Sequence, residues 1–331
     1  MRREMISVEK AIKYSIVIPV FNEEEVLPAT YGRLTSVMQD IGEPYELIFV
    51  NDGSQDSTSD IVADLMRGDR RVRLLDFSRN FGHQIAITAG MDYACGEAIV
   101  IIDGDLQDPP ELIPRMIEKW QAGYEVVYAR RSRRQGETWL KKGTAALFYR
   151  VLGTLTETPI PLDTGDFRLI DRRVCDAMRG IREKNRFVRG LVSWVGFKQT
   201  AVDYVREERW AGESKYPLRK MLRFAWDGIC SFSYKPLRIS TWLGALVILV
   251  SLVYLVISLS QGLLGHTAIN VQTELLVGAY LLSGVVLLAL GIVGEYIGRI
   301  CDESRGRPLY ILRNQKEAAQ SKVREVKRRV Q

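Results

Sequence analysis

Over the first 130 residues, hydrophobic positions come in short unbroken runs separated by polar stretches of helical period. The runs "YSIVIPV" (14–20), "YELIFVND" (45–52), "VRLLDFS" (72–78), "AIVIID" (98–103) and "EVVYAR" (125–130) predict strands. The stretches near 23–40, 56–68, 82–95 and 110–122 predict helices between them. Strands that are apolar throughout, each followed by a helix, predict an α/β domain with a mainly parallel sheet covered on both faces. In such folds ligands sit at the carboxyl ends of the strands.

Further along, the pattern changes to long runs without charge. No Asp, Glu, Lys or Arg occurs from Ile239 to Thr273, and Leu275–Gly294 is a second charge-free run. Each can cross a hydrocarbon layer of ~30 Å as a helix, and runs this long argue against two core helices of a soluble domain. The division expected is a soluble domain over 1–213, spans over 239–260 and 274–298, a connecting loop over 261–273, and a basic tail over 299–331. Lys and Arg flank the pair of spans on the outside (Arg219, Lys220, Arg223, Lys235, Arg238; Arg299, Arg305, Arg307, Arg313) and are missing from the loop. That asymmetry predicts a multi-pass protein of the cytoplasmic membrane with both termini and the soluble domain on the cytoplasmic side. Over 214–235, Leu218, Met221, Leu222, Ala225, Trp226 and Ile229 recur at helical spacing. Two readings stand: an amphipathic helix lying in the membrane surface, or a helix packed on its own domain.

Composition narrows the choice of partner. The chain has 331 residues, 47% of them hydrophobic, and a net charge of +6. That excess is small for a nucleic-acid binder and fits anionic lipid or phosphate groups. Four scattered cysteines without a C-x-x-C pair argue against a zinc site or a disulfide framework. Only His83 and His266 are present, which leaves little room for a His-rich metal site or a Ser-His-Asp triad. The N-terminus "MRREMISVEK" lacks the apolar core of a signal peptide.

Three of the predicted strands end in polar, acidic residues. The first ends in Pro19-Val20-Phe21-Asn22 followed by Glu23-Glu24-Glu25, with Asn22 and Glu25 spaced for a capping box. The second ends in Asn51-Asp52-Gly53-Ser54, and the fourth runs into "DGDLQDPP" from Asp103 to Pro110. Alone, Asp52 reads as a turn residue and Glu23 as charge at a helix start. Together at neighbouring strand ends they predict a pocket that recognises a nucleoside through acceptors. No G-x-G-x-x-G follows the first strand, which weighs against a dinucleotide site.

The three aspartates of the fourth strand end separate by context. "DPPE" makes Asp108 a helix N-cap, followed by prolines and Glu111. Asp103 and Asp105, two apart in an extended segment, would point the same way. Two like charges so placed need a cation, and oxygen ligands suit Mg²⁺ or Mn²⁺. Gln107 adds a neutral oxygen on the same side.

The segments "VIPVFNEEE", "NDGSQDST", "SRNFGHQIAITAGMDYACGEAIVIIDGDLQDPP", "GDFRLIDR" and "ERWAGESKY" resemble the family 2 glycosyltransferases of GT-A fold. Within these, the chain resembles the polyprenyl-phosphate glycosyltransferases, and "GEYIGRI" (Gly294–Ile300) resembles the bactoprenol branch. The resemblance covers nearly the whole chain. It implies that Asp52 contacts the nucleotide base, with Glu23 and Pro19 beside it, and that Asp103 lies at the donor near ribose, diphosphate and metal. It implies metal ligation by Asp105 and Gln107, and phosphate contacts by Arg131, Arg209 and Lys215. Guanidinium forks and an ammonium point charge suit those phosphates. Asp166 stands where many relatives carry a neutral residue; it is assigned to the site either beside the sugar or a metal-bound water, or as a loop cap. Arg130, Arg133 and Arg134 read as surface charge or lipid-headgroup contacts.

The reaction implied is inverting transfer of a sugar from a nucleotide sugar to polyprenyl (undecaprenyl) phosphate. UDP-glucose is the first-choice donor; UDP-N-acetylglucosamine, UDP-galactose, an aminoarabinose donor and GDP-mannose stay open, as does homo-oligomerisation. Three rivals are weaker. A processive synthase would carry Q-x-x-R-W where this chain has "EERW" (207–210). A haloacid-dehalogenase-type phosphatase would carry its nucleophilic Asp after the first strand. A non-catalytic nucleotide-sugar-binding scaffold would have no need of Asp103, Asp105 and Gln107 together.

Overall fold

The structure is a computed structural model and describes residues 11–133, 164–205 and 271–313 and most of 242–260. These fall into two compact units: residues up to 205 together with 307–313, and residues from 242 to 306.

Among the described residues of the first unit, seven strands form one sheet. They are β1 (Tyr14–Val20), β2 (Tyr45–Asn51), β3 (Val72–Asp76), β4 (Ala98–Ile101), β5 (Val126–Arg133), β6 (Thr164–Asp171) and β7 (Gln199–Val205). Their order is β3-β2-β1-β4-β6-β5-β7. β1 pairs in parallel with β2 and β4, and β2 with β3. β6 runs antiparallel between β4 and β5, and β7 closes the far edge parallel to β5. The sheet is therefore mixed and mostly parallel. All five strands expected from the apolar runs are present; β6 and β7 are additions. β1, β2 and β4 are buried along their whole length, as strands covered on both faces must be.

The helices are α1 (Leu27–Ile41), α2 (Thr58–Gly68), α3 (His83–Tyr93), α4 (Ile113–Gln121), α5 (Arg172–Gly180) and α6 (Val188–Trp194). α1 buries Leu27, Thr30, Leu34 and Met38, a stripe of helical period, and stops where Gly42 takes a left-handed conformation. The expected Asn22–Glu25 capping box does not form. α1 begins four residues after Glu23, and its N-cap, Val26, makes no side-chain cap.

A buried ion pair braces the sheet at the opposite end from the strand termini that carry the acidic residues. Glu46 of β2 accepts from Ser15 Oγ (2.6 Å), Arg73 Nη1 (2.6 Å) and the Cys95 amide (2.7 Å). Removing one partner of such a pair leaves the other charge uncompensated. Glu46→Ala is expected to lower unfolding free energy by about 3 kcal/mol, read from denaturant unfolding of the purified protein. An unchanged midpoint would rule this brace out.

The second unit holds α7 (Val271–Ser304). Among the described residues, one helical stretch, Gly278–Ser304, is long and apolar enough to cross a membrane. Most of its large apolar side chains, including Leu281, Leu287, Leu290 and Ile297, are exposed. α7 starts inside the segment expected to be a loop (261–273) and continues past the expected end at 298. The described residues between 242 and 260 are also helical.

Candidate active site

β1 has β2 on one side and β4 on the other. The chain thus builds outward from β1 through β2 and β3, then crosses back to β4. That reversal is a topological switch point, where a crevice opens beyond the strand ends. The three acidic strand ends of the sequence meet there.

The ends of β1 and β2 are laced together. Asn22 adopts φ 53°, a conformation Asn tolerates better than most residues. Its amide donates to Ser54 Oγ (2.9 Å), and its Oδ1 accepts from the Gln55 amide (2.8 Å). The Glu23 amide donates to Thr58 Oγ1 (2.9 Å). Asn22 thus holds the neighbouring strand's loop, which is why it does not cap α1. Pro19 is buried in β1, paired with Val50 of β2.

Asp52 is 4% exposed. Its carboxylate accepts from the Phe81 amide (2.7 Å) and the Gly82 amide (3.0 Å). Burial raises its pKa above the usual carboxylate value, against the pull of those two amides. Asp52 therefore anchors the loop that enters α3. Gly53 permits the close approach: its φ is 71°, and a Cβ there would lie 2.5 Å from the Arg79 carbonyl carbon.

Beyond β4 the chain turns instead of staying extended. β4 ends at Ile101, and Leu106 takes φ 56°. Burial nonetheless alternates: Ile102, Gly104, Leu106 and Asp108 are buried, while Asp103, Asp105 and Gln107 keep access to solvent. The three residues expected to share a side all keep access to solvent, but the segment that carries them is a turn and not an extended strand. Asp105 Oδ1 accepts the Gln107 amide (3.1 Å). Thr30 Oγ1 of α1 donates to the Gly104 carbonyl (2.8 Å), fixing the turn from below. Gly104 also lies against the end of β1, where a Cβ would meet Val20 Cγ1 at 3.0 Å.

Asp108 is not a helix cap. The chain enters a 3-10 turn at Pro110, whose N-cap Pro109 makes no side-chain bond, and Asp108 is buried. The Tyr204 hydroxyl of β7 donates to Asp108 Oδ1, and Arg131 Nε of β5 approaches the same hydroxyl at 3.3 Å. A partner far along the chain thus overrides the local capping pattern. Arg131 is placed on the Asp108 side of the crevice, with Nη2 against Gly165. Arg130 forms an exposed ion pair with Asp203 (2.6 Å). Arg209, Lys215 and Arg134 lie outside the described residues.

β6 supplies the remaining acid. Ile101 of β4 faces Arg168 of β6, so continuing that antiparallel register by two residues sets Asp103 opposite Asp166. Asp166 lies inside a strand, which excludes a loop cap. It is 5% exposed. Arg189 of α6 clamps both its oxygens (Nε–Oδ1 2.9 Å, Nη2–Oδ2 3.0 Å), and Gln84 Nε2 reaches Oδ2 at 3.2 Å. His83, the first residue of α3, stands between the two acids, with Nε2 3.4 Å from Asp103 Oδ1 and 3.4 Å from Asp166 Oδ2.

This arrangement sets the charges apart. Burial opposes charge on His83, but Asp103 and then Asp166 outweigh it and raise its pKa to about 9. Burial would push Asp166 up, yet Arg189 and His83 hold it well below the usual carboxylate range. Asp103 is raised to about 6, chiefly by burial, with Asp108, Asp166 and Asp105 adding repulsion and His83 opposing. Asp103 Oδ1 is buried and accepts no hydrogen bond. That oxygen faces His83 at 3.4 Å, and with Asp105 and Gln107 following in the same turn the oxygens available are of the kind a hard divalent cation takes. Among the described residues no group of three or more His, Cys, Asp or Glu side chains is arranged to hold a metal ion by itself.

His83, Gln84, Arg189 and Tyr204 are the site neighbours that sequence reasoning did not assign. For His83 a signal existed: it is one of two histidines and opens a helix directly after "SRNFG".

A mixed, mostly parallel α/β sheet with an acidic turn at its switch point defines a GT-A-like domain. The chain belongs to glycosyl transferase family 2, whose family model matches residues 15–179, and it is a glycosyltransferase. It is 60% identical over 301 residues to the uncharacterized glycosyltransferase YkcC of Bacillus subtilis (strain 168), covering 91% of this chain and 93% of that one. It is 43% identical over 306 residues to the bactoprenol glucosyl transferase of Shigella phage SfV, covering 92% of this chain and 100% of that one. Among solved structures it has a distant likeness to glucosyl-3-phosphoglycerate synthase from Mycobacterium tuberculosis. There the identity is 17%, the coverage 66% of this chain and 76% of that one, and the TM-score 0.44.

Proposed function

We propose that this enzyme transfers glucose from UDP-glucose to undecaprenyl phosphate, with inversion, at the cytoplasmic face of the membrane. The observation that carries the reading is the turn after β4, which presents Asp103, Asp105 and Gln107 together beside the His83–Asp166–Arg189 cluster. The 43% identity to a bactoprenol glucosyl transferase over 92% of the chain supports the acceptor and the sugar. The apolar helix within α7 supports a membrane location. In this reading residues 239–260 form a second span, so that both termini and the catalytic domain are cytoplasmic.

The acceptor phosphate oxygen attacks the anomeric carbon, and the bond from that carbon to the diphosphate oxygen breaks with its electron pair leaving on UDP. A phosphate monoester has a second pKa near ~6, so the nucleophile is already ionised and no strong base is required. Asp103, Asp105 and Gln107 would hold Mg²⁺ or Mn²⁺. Bound there, the cation would neutralise charge that develops on the leaving diphosphate. Asp52, Pro19 and Glu23 border the base pocket, Asp52 by holding the Phe81–Gly82 amides in place. Arg131, Arg209 and Lys215 would meet phosphate oxygens. Asp166 acts through His83, fixing its ring against Asp103.

The test is a donor panel with undecaprenyl phosphate, with Mg²⁺, with Mn²⁺, and with chelator. UDP-glucose should be turned over fastest, and chelation should abolish transfer. Faster transfer from UDP-N-acetylglucosamine, UDP-galactose, an aminoarabinose donor or GDP-mannose would reassign the donor. Nucleotide-sugar binding with no transfer from any donor would make the chain a scaffold.

A further inference from the structure

The residues that follow α7 return to the edge of the sheet in the first unit. β3 is the edge strand next to β2, so one side of its backbone has no strand partner within the sheet. Residues 310–313 cover the chain just beyond it. The Ser78 amide donates to the Ile311 carbonyl (2.9 Å), and the Arg313 amide donates to the Asp76 carbonyl (2.9 Å). Leu312 forms an antiparallel bridge with Phe77 and is 8% exposed between two exposed neighbours, Ile311 and Arg313. Arg313 Nη1 also lies 3.3 Å from Asp76 Oδ2.

Tyr310 makes the contacts that reach furthest. Its ring stacks on Phe77 with centroids 5.3 Å apart and planes 13° apart. Its hydroxyl donates to Asp92 Oδ2 of α3 (2.9 Å), the oxygen that Arg182 also meets at 2.9 Å. Phe77 in turn packs edge-on against Phe81 at 5.5 Å. The Phe81 amide is one of the two that hold the Asp52 carboxylate. A continuous chain of contacts therefore runs from Tyr310 through Phe77 and Phe81 to Asp52. Tyr310 is also bonded to α3, the helix whose first residue is His83. Aromatic pairs of this geometry contribute beyond their buried area, and two in series restrict the loop between β3 and α3.

We infer that Tyr310 is a positioning residue for the nucleotide pocket. The strap formed by residues 310–313 holds Phe77 and Phe81 so that the Phe81 and Gly82 amides stay on Asp52. This rests on the nucleotide-sugar reading for its consequence, but not for its geometry. Losing the strap would then loosen donor binding more than it slows the chemical step.

The experiment uses the full-length protein in detergent, comparing the parent with Tyr310→Ala, Tyr310→Leu and Tyr310→Phe. Tyr310→Phe keeps the stack and loses the bond to Asp92. Tyr310→Leu keeps an apolar cover over Phe77 and serves where the alanine variant does not fold. Hydrogen exchange is followed at the Phe81 and Gly82 amides and in β1 and β4. The inference expects about tenfold faster exchange at Phe81 and Gly82 in Tyr310→Ala or Tyr310→Leu, a smaller change in Tyr310→Phe, and no change in β1 and β4. UDP affinity should weaken by about fivefold in the same order, with KM for the donor moving more than kcat. Unchanged exchange at Phe81 and Gly82, or a rise spread equally over β1 and β4, would overturn the inference. Should the parent bind no UDP, the exchange result still decides the positioning role, and the failure belongs to the donor assignment.

Discussion

Asp105→Asn is expected to leave the protein folded and to slow sugar transfer by about 10²–10³-fold, equivalent to roughly 3–4 kcal/mol of transition-state stabilisation. The side chain keeps access to solvent, and its Oδ1 accepts the Gln107 amide at 3.1 Å. Asparagine retains an oxygen for that bond, so the turn should persist. Under the proposed cation site, what is lost is one negative charge from a set of two carboxylates and one neutral amide oxygen. Weaker Mn²⁺ binding, measured by calorimetry in the presence of UDP, should accompany the slower transfer. Gln107→Ala should be milder, because it removes a neutral ligand that water can replace. Transfer by Asp105→Asn at the parent rate, with Mn²⁺ affinity unchanged, would remove the basis for placing a cation at this turn.

The acidic turn after β4 and the parallel half of the sheet were legible for the same reason. Strands covered on both faces must be apolar throughout, so Ile16–Ile18, Leu47–Val50 and Ala98–Ile102 announce themselves. Acids that interrupt such runs stand at strand ends, and the strand order brings those ends together. β6 was not legible as a strand. "TGDFRLID" carries Gly, Asp and Arg in positions that are buried throughout the strand up to Ile170. Its charges are tolerated because Arg189 clamps Asp166 and because Arg168 donates to the carbonyls of Gly165 (2.9 Å) and Asp166 (3.3 Å). Those compensations come from tertiary structure and leave no local pattern. Asp108 shows the same limit from the other side. Its sequence neighbours favour a cap, but a buried hydroxyl 96 positions away takes the carboxylate instead. His83 draws meaning only from two acids on β6 and beyond β4, which no spacing rule connects.

Asp166→Asn is expected to destabilise the protein by about 3–5 kcal/mol and to abolish most transfer. The carboxylate faces Arg189 through two bonds, His83 at 3.4 Å and Arg168 at 3.9 Å. Neutralising it leaves these cations without their common counter-charge in a buried place. Burial already weakens the hold of Arg168 on its proton, lowering its pKa to about 10. The sign of the pH dependence follows from the depressed pKa of Asp166. Its stabilising effect is present above the unfolded carboxylate value near ~3.9 and is lost as pH falls through the folded value. The parent's advantage over Asp166→Asn in thermal unfolding should therefore be steady from neutral pH down to mild acid and shrink only below about pH 4. A second variant separates stability from chemistry. Asp166→Asn combined with Arg189→Met removes one orphaned cation and should recover much of the lost stability. It should not recover transfer, since His83 would then face Asp103 alone and compete for the oxygen that the proposed cation site needs. Recovery of parent turnover in the double variant would show that Asp166 does no more than neutralise Arg189.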